Sequence, residues 1–486
     1  MEEHNNHHRQ PLLPSISDNH EEQQQLKLEV SVMERTWVES NKFWQISGPS
    51  IFARICLYSL AVVTQSFVGH ISDTDLAAIS IATTVITYIT FAFLLGLSGA
   101  IETLGGQAYG AKQYDMLGIY LQRSWVVLLV ASVLLLPLFI FATPILKLIG
   151  QPEEVAELAG MVAMWLIPMH MSYVFLFTLL KFLQCQLKMA VIAWMTGVAL
   201  ASHLFVNWFF VYKYNIGVVG AAIMLDVAWW VPVFGMFVYV VFGGCRESWT
   251  GFSMQAFSGL WEFFKLSAAS GVMLVLESFY YRVLVIVAGS LGNNEIDINA
   301  LSICITAYGW EIMIPYGFLA ATAVRVANEL GAGNAKGAIF ATKISLLTSI
   351  LVGLLFCALI VAFPDKLAMI FTSNNIVISM VDELSVLLSL TVLFSCIQPI
   401  FTGVALGCGW QSHVVIVNLV SCYVVGLPLG VVLERFLGFG IKGLWAGMLG
   451  GTLVQTLLLA IITIRCDWGK QAKEAHSRVV NRAISS

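Results

Sequence analysis

The chain has 486 residues, of which 58% are hydrophobic and 11% charged, with a formal net charge of −4 at pH 7 and a mean hydropathy of +0.82. Soluble domains carry roughly a quarter charged residues, so too few are present here to cover a water-facing globule of this length. That excludes a soluble enzyme, and the absence of a basic excess argues against a nucleic-acid partner.

The first 42 residues are polar and rich in His, Asn, Gln and Glu, which is the composition of a disordered tail rather than a cleaved signal peptide. Twelve apolar stretches follow, near 46–66, 76–98, 118–142, 156–180, 190–212, 218–242, 266–290, 300–322, 340–363, 382–404, 413–433 and 443–465. Each is long enough to cross ~30 Å of hydrocarbon as a helix. In lipid a helix satisfies its own backbone, and runs such as 126–141 lack the alternation of a transmembrane β-strand. The expected organisation is an all-α polytopic membrane protein, with a first lobe over 43–245, a linker with an amphipathic segment over 246–265, a second lobe over 266–465 and a tail over 466–486.

Most of the 25 Lys and Arg residues fall on the side of both termini; Lys147, Lys213, Lys366, Arg435 and Lys442 fall on the other, and Arg54 and Arg282 lie within spans. By the positive-inside rule both termini are expected in the cytosol.

An internal repeat runs through the chain. Phe43-Trp44-Gln45-Ile46-Ser47 matches Phe263-Phe264-Lys265-Leu266-Ser267, and Ala78-Ile79-Ser80-Ile81 matches Ala300-Leu301-Ser302-Ile303. Gln107-Ala108-Tyr109-Gly110-Ala111 matches Asn328-Glu329-Leu330-Gly331-Ala332, and Gly217-Val218-Val219-Gly220 matches Gly440-Ile441-Lys442-Gly443. The offsets stay between 220 and 223. Six spans per half is even, so the halves enter the membrane in the same sense and are related by an axis along its normal. Such a pair leaves a cleft suited to alternating access, with a pore or a flippase as competing uses.

An ionisable side chain within a span needs protein or water around it. Glu102, Asp226, Glu277, Glu311, Arg54 and Arg282 are the clear cases. Glu277 stands mid-span with no cation three or four residues away, which makes it a candidate proton carrier; a structural ion pair is the alternative for it and for Glu311 and Asp226. Glu102 lies near a span end, where a structural role leads. His203 and Asn207 share one helix face and either line a cavity or bond a neighbouring helix. Gly331-Ala332-Gly333-Asn334-Ala335-Lys336-Gly337 lacks the Gly-Lys-Ser/Thr ending and preceding strand of a phosphate loop, so no nucleotide site is expected. The nine cysteines are scattered without a CxxC pair, and no metal, cofactor or catalytic set is expected.

Glu102-Thr103-Leu104-Gly105-Gly106-Gln107-Ala108-Tyr109-Gly110-Ala111-Lys112-Gln113-Tyr114 resembles the signature after the second helix of plant MATE (multidrug and toxic compound extrusion) transporters, the DETOXIFICATION proteins. So do Gln65-Ser66-Phe67-Val68-Gly69-His70, Pro315-Tyr316-Gly317-Phe318-Leu319-Ala320, the run from Val324 to Gly333, and Gly407-Cys408-Gly409-Trp410-Gln411. The resemblance implies a twelve-helix, two-lobed exporter of organic compounds, driven by protons and acting as a monomer. It places the acidic residue of the seventh helix at Glu277; Gln65, Tyr281, Arg282 and Gln398 are further candidate cavity or coupling positions. Many members carry an Asp on the tenth helix, three residues before a Gln; here Ser395 occupies that position. One fewer carboxylate suits neutral or anionic cargo, such as conjugated phenolics, organic acids or chloride. The expected activity is proton-coupled antiport of such compounds out of the cytosol, with a passive anion channel as the alternative. Pro11-Leu12-Leu13 resembles a dileucine signal without its acidic residue, a slight lean to the vacuolar over the plasma membrane.

Overall fold

The computed structural model describes the backbone over residues 16–290 and 295–484, with side chains over 31–280 and 298–479 and at Val283 and Ile296. The Pro11-Leu12-Leu13 motif lies outside the described residues, as do the side chains of Tyr281 and Arg282.

Each apolar stretch becomes a helix that overruns it at one or both ends. The first lobe holds α1 (Ile16–Val68), α2 (Asp73–Gly110), α3 (Tyr114–Ile140), α4, α5 (Met189–Lys213) and α6 (Gly217–Gly244). The second holds α7 (Leu260–Ser290), α8 (Glu295–Glu311 continuing as Met313–Gly331), α9 (Ala335–Ala362), α10 (Asn375–Cys408), α11 (Gln411–Arg435) and α12 (Gly440–Ile464). Among the described residues eleven helices are long and apolar enough to cross a membrane. The twelfth crossing is α4, whose parts Glu153–Trp165 and Ile167–Cys185 meet at 46°, where Pro168 stands in the first turn of the second part.

Helices extend into both terminal segments. α1 runs without a break from Ile16, so the tail boundary expected at residue 42 is not a boundary in the backbone. Within that segment Glu39 is buried and accepts from Arg325 of α8 at 2.7 and 3.0 Å, while Arg325 also reaches Glu329 at 2.6 Å. After α12 the chain forms α13 (Trp468–Ile484). It is amphipathic: Ala472 and Ala475 pack on Val326, Leu330, Val404 and Cys408, and His476 bonds the Gly331 carbonyl at 2.8 Å. One-sided polarity is what a surface helix shows, and composition alone does not separate that from disorder.

The repeat is visible in the backbone as well. Left-handed turn residues recur in pairs: Lys112 (φ 58°) with Gly333 (74°), Leu187 (62°) with Gly409 (86°), Asn215 (51°) with Gly438 (72°), and Gly217 (73°) with Gly440 (57°). The short helices Ala142–Leu148 and Pro364–Met369 also correspond. Where glycine is absent, Lys112 and Leu187 hold a conformation that L side chains rarely adopt, so the turn geometry is set by the repeat and not by the residue occupying it.

The lobes meet on the side of the termini, at backbone distance. A methyl added to Gly106 of α2 would come within 2.6 Å of the Ala327 Cβ of α8, and these residues are repeat equivalents. A methyl on Gly110 would strike the Asn328 backbone, and one on Gly331 would strike the Gln107 backbone. Gln107 corresponds to Asn328 and Gly110 to Gly331, so the two collisions are one contact seen twice across a two-fold axis. Farther along α2, Gly96 faces Gly271 of α7, while its counterpart Gly317 of α8 faces Ile51 of α1. Hydrogen bonds between the lobes gather at the same side: Thr103 Oγ1 to the Leu406 carbonyl at 2.6 Å, Gln107 Nε2 to the Gly407 carbonyl at 2.9 Å, and Gln411 Nε2 to Thr103 Oγ1 at 2.7 Å.

This seal makes a measurable prediction. With Cys408, now buried, kept as the sole cysteine, Gly110→Ala and Gly331→Ala should each raise the rate of maleimide labelling severalfold. Gly48→Ala, where an added methyl meets nothing within 4 Å, should leave the rate unchanged.

Candidate functional site

Above the seal the lobes diverge around a cavity of about 950 Å³ lined from both halves. Helices built to pack at their terminus-side ends, with Gly96, Gly106 and Gly110 on α2 and Gly317 and Gly331 on α8, carry bulkier side chains farther along. The wall of the first lobe is aromatic: Phe91 makes edge contacts with Tyr173 at 5.5 Å and Phe177 at 5.1 Å, and Tyr173 with Trp229 at 4.9 Å. Tyr58 of α1 meets Trp310 of α8 at 4.9 Å, bridging the lobes at one margin.

Glu277 lines this cavity. At 1.5 Å per residue it lies about 20 Å below the far end of α7, near the middle of a bilayer. Gln398 lines the same cavity and donates to Thr402 Oγ1 at 2.9 Å; the Glu277 Oε2 atom has no partner among the described residues. The surrounding turn of α7 is fixed by hydrogen bonds to neighbouring helices. Tyr423 donates to the Leu276 carbonyl at 2.7 Å, Tyr280 to the Met448 carbonyl at 2.7 Å, and Asn418 to the Met273 carbonyl at 3.4 Å. Ser395 lines the same cavity one turn from Gln398 and shares a hydrogen bond of 2.9 Å with Tyr308.

The other sequence candidates separate by location. Gln65 lines the cavity and donates to Thr83 Oγ1 at 3.2 Å. Glu311 sits at the interruption of α8 and takes a long contact from the Cys396 thiol at 3.6 Å, behind the cavity wall rather than in it. Asp226 of α6 accepts the Met169 amide N–H at 3.0 Å. That amide lies in the first turn after the bend of α4, where helical N–H groups have no partner of their own. Asp226 thus caps a broken helix from a neighbouring one, and a negative charge there also suits the helix dipole. His203 lies 2.9 Å from Thr64 Oγ1 and 3.1 Å from the Leu60 carbonyl, and Asn207 bonds His203 at 3.0 Å. This pair ties α5 to α1 away from the cavity, the bonding alternative of the two that the sequence left open.

Two cations were harder to place. Lys181 lies too near a loop to read as intramembrane, yet it is buried against Glu102 at 2.5 Å, with Gln184 donating to the same carboxylate at 3.0 Å. Its spacing of three residues from Gln184 was the available signal, since both then meet one partner. Arg54 of α1, recognised as intramembrane but not as part of a site, also lines the cavity, with its guanidinium 5.7 Å from the Tyr316 ring centre. Among the described residues no group of three or more His, Cys, Asp or Glu could hold a metal ion.

If Asp226 acts as a cap, Asp226→Ala should lower stability by roughly 1–2 kcal/mol, read as a reduced Tm in detergent. Asp226→Asn keeps an acceptor for the Met169 amide and should stay near the wild type in both Tm and transport.

Comparison with known proteins agrees with this geometry. The MatE family model matches residues 49–209 and again 269–432, one copy per lobe. The chain is similar to Protein DETOXIFICATION 26 of Arabidopsis thaliana, 50% identical over 450 residues that cover 92% of each chain. It is similar to Protein DETOXIFICATION 28 of the same plant, 49% identical over 98% of this chain and 96% of that one. Among solved structures, the eukaryotic MATE transporter AtDTX14 superposes with a TM-score of 0.86 at 34% identity, covering 91% of this chain and 99% of that one. The Vibrio cholerae MATE transporter VcmN in its bent form shares the fold, with a TM-score of 0.79 at 18% identity over 90% and 98% of the two chains.

Proposed function

The chain belongs to the MatE family of membrane transporters, and from that premise we propose that it exports organic compounds from the cytosol by proton-coupled antiport, as a monomer. The observation that carries this reading is a cleft between the lobes, closed at the terminus side, with an incompletely partnered carboxylate, Glu277, at mid-depth in its wall. With the termini in the cytosol, the cleft faces the compartment that receives cargo.

A proton arriving from an acidic compartment binds Glu277 and removes its charge. The neutral acid is a poorer acceptor for a cargo hydroxyl, ammonium group or the Gln398 amide, so cargo held there loses affinity. A ligand shifts a conformational equilibrium only through a difference in affinity between states, and the proton supplies that difference. Return of the empty cleft to the cytosolic side requires the Gly106–Ala327 seal and the Glu39–Arg325 pair to part. An acidic vacuole provides the gradient, which together with the leucine pair in the tail favours the vacuolar membrane.

In proteoliposomes with an imposed pH gradient, Glu277→Gln should abolish gradient-driven transport of organic cargo while leaving the protein monodisperse and its Tm unchanged. Gradient-driven transport at the wild-type rate in that variant would remove Glu277 from the mechanism.

A passive anion channel is the second reading, favoured by Ser395, which engages Tyr308 where a second carboxylate would strengthen the case for antiport. Patch clamp separates the two. Currents that reverse at the chloride equilibrium potential indicate a channel; an antiporter turns over too slowly to give them.

A further inference from the structure

Arg54 has no role in the mechanism above, and its surroundings are unusual for a cation at mid-bilayer. It lies fourteen residues below the end of α1 at Val68, about 21 Å at 1.5 Å per residue. A guanidinium brings five N–H donors, yet among the described residues Arg54 makes no ion pair, and its buried Nε has no hydrogen-bond partner. Glu102, which lines the same cavity, is already held by Lys181 at 2.5 Å and Gln184 at 3.0 Å. The face of the Tyr316 ring stands over it, at 5.7 Å. A structural arginine in this position would spend its donors on protein atoms. This one presents them to the cavity.

The opposite wall is complementary. By the repeat, Arg54 corresponds to Leu274 of α7, one helical turn from Glu277, so the unpaired cation of one lobe and the incompletely paired carboxylate of the other stand at nearly equal depth. The same cavity is lined by the aromatic cluster of Phe91, Tyr173 and Trp229.

We infer that Arg54 is the anchor for an acidic group of the cargo, which is an aromatic acid with a carboxylate or sulfate at one end and a hydroxyl at the other. The acidic group takes the guanidinium donors as a charge-assisted, fork-shaped pair. The ring packs on the aromatic wall, and the hydroxyl donates to ionised Glu277. This inference deepens the antiport reading and rests on it for the hydroxyl end alone. An anion without a hydroxyl gains nothing from Glu277 and is repelled by its charge, so simple inorganic anions are poor cargo.

The test is equilibrium binding of tritiated 4-hydroxycinnamate and of its methyl ester to the purified full-length chain in nanodiscs, with no pH gradient. The wild type should bind the acid about tenfold more tightly than the ester, the size expected of one charged hydrogen-bonded contact. Arg54→Gln should erase that preference by weakening the acid alone, and Arg54→Lys should keep part of it. Equal binding of acid and ester by the wild type overturns the assignment. So does a retained preference in Arg54→Gln, or an equal loss for both probes. If Arg54→Gln does not fold, the wild type and Arg54→Lys still decide the matter. Because binding is read without a gradient, loss of the antiport reading through Glu277→Gln leaves this result standing, and the converse also holds.

Discussion

Everything in this molecule depends on how closely two helices approach at the two-fold axis. α2 and α8 cross where Gly106 faces Ala327, and neither backbone tolerates an added carbon on the glycine side. Without apolar solvent exclusion to drive helices together in lipid, small residues and interhelical hydrogen bonds do the work. Both are concentrated here: the glycines of α2 and α8, and the bonds of Thr103 and Gln107 to the carbonyls of Leu406 and Gly407. Contact at this end holds the helices apart at the other, so the cavity is a direct result of the seal.

Much of the architecture was legible because a membrane permits few solutions. Helix count, helix order and the two-fold relation followed from apolar length and from matches such as Gln107–Ala111 with Asn328–Ala332. The ends of the chain were not legible. A polar stretch that contains Glu39 reads as solvent-exposed until its partner, Arg325, is brought to it across nearly three hundred residues. Composition has no access to a contact of that range.

The site was legible in a different proportion. Glu277 stood out because a carboxylate in mid-span has few explanations, and its place in the cavity wall agrees with that reading. Asp226 looked similar in sequence, yet the bend of α4 turns it toward an unsatisfied amide. A break in a neighbouring helix leaves no mark on the span that repairs it. Ser395 was noticed for what it is not; the tyrosine it bonds, Tyr308, lies on another helix and had no signal of its own. Pairing decides what an intramembrane charge is for, and it is a property of the packed helices rather than of any one of them.

The symmetric contacts of α2 and α8 have a kinetic consequence. Gly110 on Asn328 and Gly331 on Gln107 are mates across the two-fold axis along the membrane normal, and so are Gly96 on Gly271 and Gly317 on Ile51. A rocking of the lobes that keeps this symmetry separates both members of a pair together. Such a motion parts the paired contacts in concert rather than one before its mate. Backbone contacts of this kind have no flexible side chains to keep them bridged as the gap widens. A symmetric, backbone-tight seal thus favours arrangements fully closed or fully parted at the terminus side over those between.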